Sequence, residues 1–572
     1  MRRLRILVGL CAVAAACSGC ASAESTNLPY RWLFVMRTVA NPADLQRTIE
    51  LLPRAAAAGY NGIVLSDHRL WTKSQASPGH AEALRKLQAE AKKHGLDLIP
   101  CVMPIGYSGR LIGSDPNLAE GLPVKEARFT VHNGVARLTP DLPVSLPGGD
   151  FEQTEGDRFL NWDWQDNAGK SIFADHEVVH RGHTAVRMEN IAAAEPKYGH
   201  CRVSVTVKVQ PYRQYRLRAW AKTEGFANPA RARLLVLAPT EQERDLAEAQ
   251  LQRSTQDWAP LEVTFNSLGW DKVQIYFGAW GGGEGKLWWD DMTLEEIGLM
   301  NVLRRKGCPL TVTGETGTRY VEGKDFAPVA DPRLSPWESG YHEPPAIKLT
   351  AHSRLKEGQR LRVSYYHSVL IGEYSLMCCV SEPKVYALLT EQIKWVNEVL
   401  HPKHFFMQHD EVRTMNWDQA CQSRKLTPGQ LLADNVRRCT DIIHKLRPGA
   451  KLWVWSDMFC PLENAVDEYY LVNGSLKGSW EGLSPDVGIA NWANDLGGKN
   501  LQWFADRGHE QILCGYYDGG GYPMDKWFAA GKGLPGVVGA MYTTWVDNYA
   551  DLEAWAKSAW GETAVTGKKA GN

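Results

Sequence analysis

"RWLFVM" (residues 31–36), "ADLQRTIELLPRAAAAG" (43–59), "NGIVLSD" (61–67), "HAEALRKLQAEAKKHG" (80–95) and "LDLIPCVMPIG" (96–106) follow one another with almost nothing between them. The first, third and fifth are short apolar runs, while the second and fourth carry apolar residues at helical spacing. Strands that are apolar on both faces, alternating with amphipathic helices, predict βαβαβ and a parallel sheet covered on both sides. From about Leu111 to Ser368 the alternation stops. There "RVSVTVKV" (202–209), "YRLRAWAKT" (215–223), "ARLLVLA" (232–238), "APLEVTFNS" (259–267) and "DKVQIYFGAW" (271–280) alternate in the manner of a β-sandwich.

Strand and helix then resume, from "KVYALLTEQIKWVNEVL" (384–400) and "HFFMQHDE" (404–411) to "GVVGAMYTTWVD" (536–547) and the closing "LEAWAKSAWG" (552–561). Three strands before the interruption and five after it make eight. The expected class is α/β: a (β/α)8 TIM barrel interrupted after strand 3 by an inserted all-β jelly-roll sandwich. An open doubly wound sheet is the alternative, disfavoured by the strand count and the closing helix. The expected organisation is a leader over 1–23, barrel over 30–125, jelly roll over 140–297, a small β-rich insert over 298–370, and barrel again over 375–562.

Composition bounds the function. A chain of 572 residues, 44% hydrophobic and 23% charged, is a globular protein of several domains. A net charge of −1 without long charge runs argues against nucleic acid and anionic membranes as partners. Trp at 22 and Tyr at 20 suit stacking against sugar rings, or equally the cores of a large protein. "MRRLR" followed by "ILVGLCAVAAACSG" and small residues reads as an export signal, with the product periplasmic or at the cell surface. Cleavage after Ala23 and a lipidated Cys20 are both open, and the latter would be the one membrane attachment. Of 12 cysteines, nine lie beyond the leader without CxxC spacing, so they read mainly as buried thiols, with one incidental bridge left open and no zinc site expected.

A barrel's reacting groups stand at the C-terminal ends of its strands. Those ends carry Arg37, Asp67-His68, Tyr107, His409-Asp410-Glu411, Trp455 and Asp457, Asn491-Trp492, Tyr516-Tyr517-Asp518 and Trp545-Val546-Asp547. Carboxylates and an Arg can hold sugar hydroxyls, and Trp walls can cover ring faces. Each also has a plain alternative: a polar turn for Asp410-Glu411, an ion-pair partner for Arg37, core for the Trp residues. His68 and His409 read as structural histidines, since neither HxH nor HExxH occurs.

Arg after strand 1, adjacent Asp-Glu after strand 4, Trp after strands 5 and 6, Tyr-x-Asp after strand 7 and Trp-x-Asp after strand 8 together resemble glycoside hydrolase family 20, the β-N-acetylhexosaminidases. His409 replaces the family's usual Gly, Asp547 its usual Glu, and the insertion after strand 3 departs from the family plan. The resemblance implies Glu411 as general acid and Asp410 as the group that orients a 2-acetamido substituent for substrate-assisted, retaining cleavage without a catalytic cofactor. It assigns substrate contacts to Arg37, Trp455, Trp492, Tyr516, Trp545 and Asp547, and a supporting place to Asp518.

"GGDFEQ" (148–153) and "KLWWDDMTLEEI" (286–297) resemble the first and last strands of jelly-roll carbohydrate-binding modules, with Glu152 and Asp291 as candidate ligands of a structural Ca2+. Such a domain either binds glycan or shapes the neighbouring cleft. Three functions remain open on sequence: an exported glycosidase for β-linked 2-acetamido sugars, a barrel glycosidase using another pair such as Glu411 with Asp457 or Asp518, and a non-catalytic glycan-binding surface protein.

Overall fold

The computed structural model describes the chain except residues 1–27, 73–77, 241–243, 282, 338–339, 373–374, 517, 519–523 and 562–572. The leader, Cys20 and Tyr517 therefore lie outside the described residues.

Eight parallel strands close a barrel: β1 (Tyr30–Val35), β2 (Gly62–Leu65), β3 (Asp97–Val102), β4 (His404–Met407), β5 (Lys451–Trp455), β6 (Val487–Asn491), β7 (Gln511–Tyr516) and β8 (Val537–Thr543). Closure is β1 on β8, with Tyr30 opposite Gly539. Alternate side chains point to the two faces of each strand. Trp32, Phe34, Phe406, Trp453 and Trp455 fill the inside with Val64, Ile99, Ile512 and Met541, while Leu33 and Val35 join the outer core under the helices. Five such Trp and Phe side chains leave little room beside them. At Gly488 a Cβ would lie 2.3 Å from Trp453, so only glycine fits against that indole.

Local signals set the helices that cover the barrel. Asn41 accepts the Ala43 amide and Pro42 opens the helix Pro42–Ala57. Thr427 and Gln430 make a reciprocal capping box for Pro428–Leu446. The plan departs from a full (β/α)8 barrel in one unit. Between β5 and β6 the described residues hold only 3-10 turns at Asp457–Phe459 and Ser479–Gly482 and the short strand Leu471–Val472. Pro461, Asn473-Gly474, Gly478, Gly482 and Ser484-Pro485 interrupt every stretch long enough for a helix there.

Barrel strand β3 pairs directly with β4 although the chain makes a long excursion between them. The excursion is nested. Leu122–His132 and Val135–Leu138 share a six-stranded sheet with Thr311–Gly314, Arg319–Tyr320, Ile347–Lys348 and Arg360–His367. The boundary expected at 125 thus falls inside a strand of this sheet, because Leu122–His132 pairs antiparallel with Arg360–His367. The β-rich insert is made of both flanks of the sandwich rather than of 298–370 alone. Within it sits the sandwich, two five-stranded sheets whose longest strands are His200–Lys208, Gln214–Glu224, Gln256–Asn266, Lys272–Trp280 and Lys286–Ile297. "GGDFEQ" forms no strand; it joins the sandwich core through Phe151, stacked on Trp162 at 5.3 Å.

Candidate active site

At the C-terminal ends of the barrel strands lies a cavity of about 1160 Å³. It is lined by Phe34 and Trp455, which belong to the barrel's inner core, by Asp410, Glu411, Asp457 and Glu463, and by Trp492 and Trp545. Trp455 packs on Phe406 at 4.7 Å and Trp545 on Phe34 at 5.1 Å, so the aromatic surface is continuous with the barrel core. Both faces of an indole are apolar, so these walls suit the C–H faces of a ring and exclude water from polar groups beside them.

Asp410 is delivered by a strained turn. His409 and Glu411, on either side, have φ of +55° and +49°. Left-handed backbone at a non-glycine residue costs on the order of 1 kcal/mol or more and is held only by its surroundings. Two of these are visible. The His409 ring is fully buried, bonded through Nε2 to Asn435 at 3.0 Å, and burial pushes it down to about 3, so it is neutral. Gly106, at φ +104°, lets the Asp410 carbonyl approach so closely that a Cβ there would sit 1.9 Å from its oxygen.

Asp410 faces the cavity and is half-buried, yet its Oδ1 is sealed from solvent with no hydrogen-bond partner among the described residues. Burial, then the nearby Asp457 and Glu411 charges, hold its carboxyl well above the usual carboxylate range. Glu411 is anchored at both oxygens: Arg413 Nη2 lies 2.8 Å from Oε1, and the Tyr107 hydroxyl bonds Oε2. Arg413 is itself stacked over Tyr470 at 5.1 Å. The Glu411 amide donates to Asp457 Oδ2 at 3.0 Å, and Asn464 donates to the same oxygen at 2.8 Å. Asp457 is fully buried and pushed up to about 6, chiefly by desolvation. Behind it Glu463, bonded by Ser456 and Asn500, is pushed up to about 7 by burial and by Asp457.

The structure brings Asp410, Glu411, Trp455, Trp492 and Trp545 together around one cavity. It places Arg37 and Asp547 elsewhere. Arg37 forms a two-point pair with Asp547, Nε to Oδ1 at 2.7 Å and Nη2 to Oδ2 at 3.0 Å, and reaches Thr48 with Nη1 at 3.4 Å. Arg47 adds a third bond to Asp547 at 3.0 Å. Neither Arg37 nor Asp547 lines the cavity, because each is the other's partner. Asp518 is likewise a loop anchor: it accepts the Thr544 hydroxyl at 2.6 Å and the amide of Trp545, fixing the turn that carries that indole. Tyr516 ends β7 opposite Thr543; its side chain lies outside the described residues.

Of the strand-end residues, Asp457 enters the sequence reading only as an alternative partner for Glu411, and Tyr107 enters it with no role. Glu463, Arg413 and Asn464 have no strand-end signal, lying in loops beyond it. Trp337 and Pro336 come from the β-rich insert, to which sequence assigned no function, and Arg110 stacks on Trp337 at 4.4 Å. The sandwich touches the same region from outside. Arg244 donates to the Tyr470 and Val472 carbonyls, and Leu471 is part of the sandwich core. The candidate Ca2+ ligands are already engaged, Glu152 by the His183 and Thr184 amides and Asp291 by His180 at 2.5 Å.

No protein-family model and no curated protein matches the chain. Among solved structures it is similar over 94% of its length to a chitobiase of Flavobacterium johnsoniae, at 11% identity and a TM-score of 0.37. It is similar over the same share to a glycoside hydrolase family 20 β-N-acetylglucosaminidase, at 9% identity and a TM-score of 0.36. The chain covers 49% of the first structure and 70% of the second. Over 27% of its length it is similar to TmCBM61, solved in complex with β-1,4-galactotriose, of which it covers 99% at 16% identity and a TM-score of 0.22. With scores this low, any functional assignment rests on the geometry of the cavity.

Proposed function

We propose that this chain is an exported glycoside hydrolase that removes terminal β-linked N-acetylhexosamine by substrate-assisted, retaining cleavage. The observation that carries the proposal is Asp410: a carboxyl with an unpartnered, solvent-sealed oxygen, set beside Glu411 in a Trp-walled cavity. A buried carboxylate wants donors. The N–H of a 2-acetamido group supplies one, and favours the ionised form of Asp410. That bond turns the acetamide carbonyl oxygen toward the anomeric carbon, where it attacks as the glycosidic bond breaks. Glu411 is the proton donor to the leaving oxygen, with its position held by Arg413, Tyr107 and the amide bond to Asp457. Trp455 and Trp492 enclose the acetamide methyl and the ring. Arg37 and Asp547 act through the fold beneath Trp545 rather than on the sugar. The leader supports an exported protein.

Asp457 favours one second reading. It lines the same cavity and is pushed up to about 6, a range suited to proton transfer near neutral pH. In that reading Glu411 and Asp457 act on a sugar without an acetamide. Release of an aryl group from β-N-acetylglucosaminide and β-N-acetylgalactosaminide, against the plain β-glucoside and β-galactoside, separates the two. Turnover confined to the acetamido sugars and lost in Asp410→Asn and Glu411→Gln is the expected result. Turnover of the plain glycosides that survives Asp410→Asn removes substrate assistance.

A further inference from the structure

About the neck of the insertion, four side chains outside the cavity converge: Glu120, Cys379, Asp418 and Cys421, all buried, with one ligand atom from each within 4.8 Å of every other. They come from three distant segments. Glu120 stands where the chain leaves the barrel for the β-domains, and Cys379 where it returns. Asp418 and Cys421 follow β4 at the start of the short helix Gln419–Gln422. The exit and return strands are clasped by Glu120 N–H to Met377 O and Cys379 N–H to Leu118 O, both 2.8 Å. We propose that these four residues form a tetrahedral zinc site that locks this junction.

The separations support it. Zinc bonded to sulfur at about 2.3 Å and to carboxylate oxygen at about 2.0 Å sets tetrahedral edges of roughly 3.3 to 3.8 Å. Cys379 Sγ to Cys421 Sγ is 3.6 Å, Cys379 Sγ to Asp418 Oδ1 is 3.6 Å, and Cys421 Sγ to Glu120 Oε2 is 3.4 Å. The remaining edges need only small closures from within 4.8 Å. Donor chemistry points the same way: two soft thiols with two carboxylates are a set for zinc, not for an oxygen-bound Ca2+ or Mg2+.

The surroundings of Glu120 supply the second observation. Arg305 pairs with Asp418 Oδ2 at 2.6 Å and with Glu382 at 2.6 Å, and among the described residues no cation pairs with Glu120. Glu120 Oε1 takes only the amides of Trp417 and Asp418. A disulfide between Cys379 and Cys421 would leave the Glu120 carboxyl with no metal to bond, whereas zinc takes its Oε2 as a direct ligand. Zinc enters as Zn2+ and the two thiol protons leave to solvent; no electron is transferred. The ligand set escaped sequence reading because only Asp418-x-x-Cys421 is local, and the other two members lie far away along the chain.

The test uses the full-length mature protein, reduced, loaded with zinc or cobalt and freed of excess metal. One metal per chain by elemental analysis is expected, with a thiolate-to-cobalt charge-transfer band that a chelator removes and added cobalt restores. The Cys379→Ser, Cys421→Ser double variant should lose the band and the stoichiometric metal. If that variant does not fold, the wild-type cobalt spectrum and its reversal decide. Metal well below one per chain, a cobalt spectrum lacking thiolate character, or a Cys379–Cys421 disulfide in the unreduced protein by peptide mass spectrometry would each overturn the proposal.

Discussion

Gly106→Ala should lower the proposed turnover about 10²-fold while leaving the chain folded, and the structure fixes how. The new Cβ would lie 1.9 Å from the Asp410 carbonyl oxygen, so that oxygen must retreat by about 1 Å to reach even the closest tolerated contact of 3.0 Å. The retreat moves the peptide between Asp410 and Glu411, already in left-handed backbone at Glu411. A 1 Å misplacement of reacting groups costs about 10²-fold in rate, close to 2.7 kcal/mol of barrier. Strain at φ +104° adds a stability loss of about 1–3 kcal/mol. Gly134→Ala is the control: it too has positive φ, +73°, but a Cβ there meets nothing within 4 Å and stands far from the site in sequence and sheet. It should cost about 1 kcal/mol of stability and no activity. The assay is kcat/KM on the acetamido glycoside with thermal melts of both variants. Should Gly106→Ala retain wild-type kcat/KM, the Asp410 turn does not position the reacting groups.

Other outcomes follow from the same geometry. Glu463 sits at about 7 in the fold against an ordinary 4.5, so the folded state holds the proton more tightly. Its stability contribution is complete below pH 4.5 and is lost as pH rises through about 7; Glu463→Gln, neutral throughout, should match wild type in acid and exceed it at pH 8 by on the order of 3 kcal/mol in denaturant titrations. Arg37→Met should lower stability by about 1–3 kcal/mol by freeing Asp547, with KM nearly unchanged; an about tenfold rise in KM at unchanged Tm would put Arg37 on the sugar. Asp518→Asn should loosen the Thr544–Val546 turn and raise KM more than it lowers kcat, because Trp545 loses its fixed position. Tyr107→Phe removes one of the two groups holding Glu411 and should lower kcat by about tenfold at unchanged stability, read by steady-state kinetics.

The barrel was legible because its strands are short, apolar on both faces and spaced by helices, a pattern with one common solution. Asp410 and Glu411 were legible because the strand His404–Met407 ends just before them. The same rule misplaced Arg37 and Asp547. Both stand at strand ends, yet opposite charges at the junction of β1 and β8 satisfy each other, which no one-dimensional pattern reports. Glu463 and Arg413 were missed since their place depends on how loops of no regular period fold back. Trp337 was missed for a stronger reason: it reaches the cavity only once the inserted domains have docked. The seam of the β-rich insert was missed because Leu122–His132 and Arg360–His367 are partners more than two hundred residues apart.

The nesting also sets an order on folding. β1 hydrogen-bonds to β8, so the barrel cannot close until residues near 540 have left the ribosome. β3 must wait for β4 across the whole excursion, with its edge unpaired in the meantime. The sandwich, whose strands pair among themselves between 164 and 297, can fold first as a unit. Its completion returns the chain close to where it departed and shortens the loop that β3 and β4 must close. Damage to the sandwich should therefore slow barrel assembly and raise aggregation during synthesis, even where the finished protein works normally.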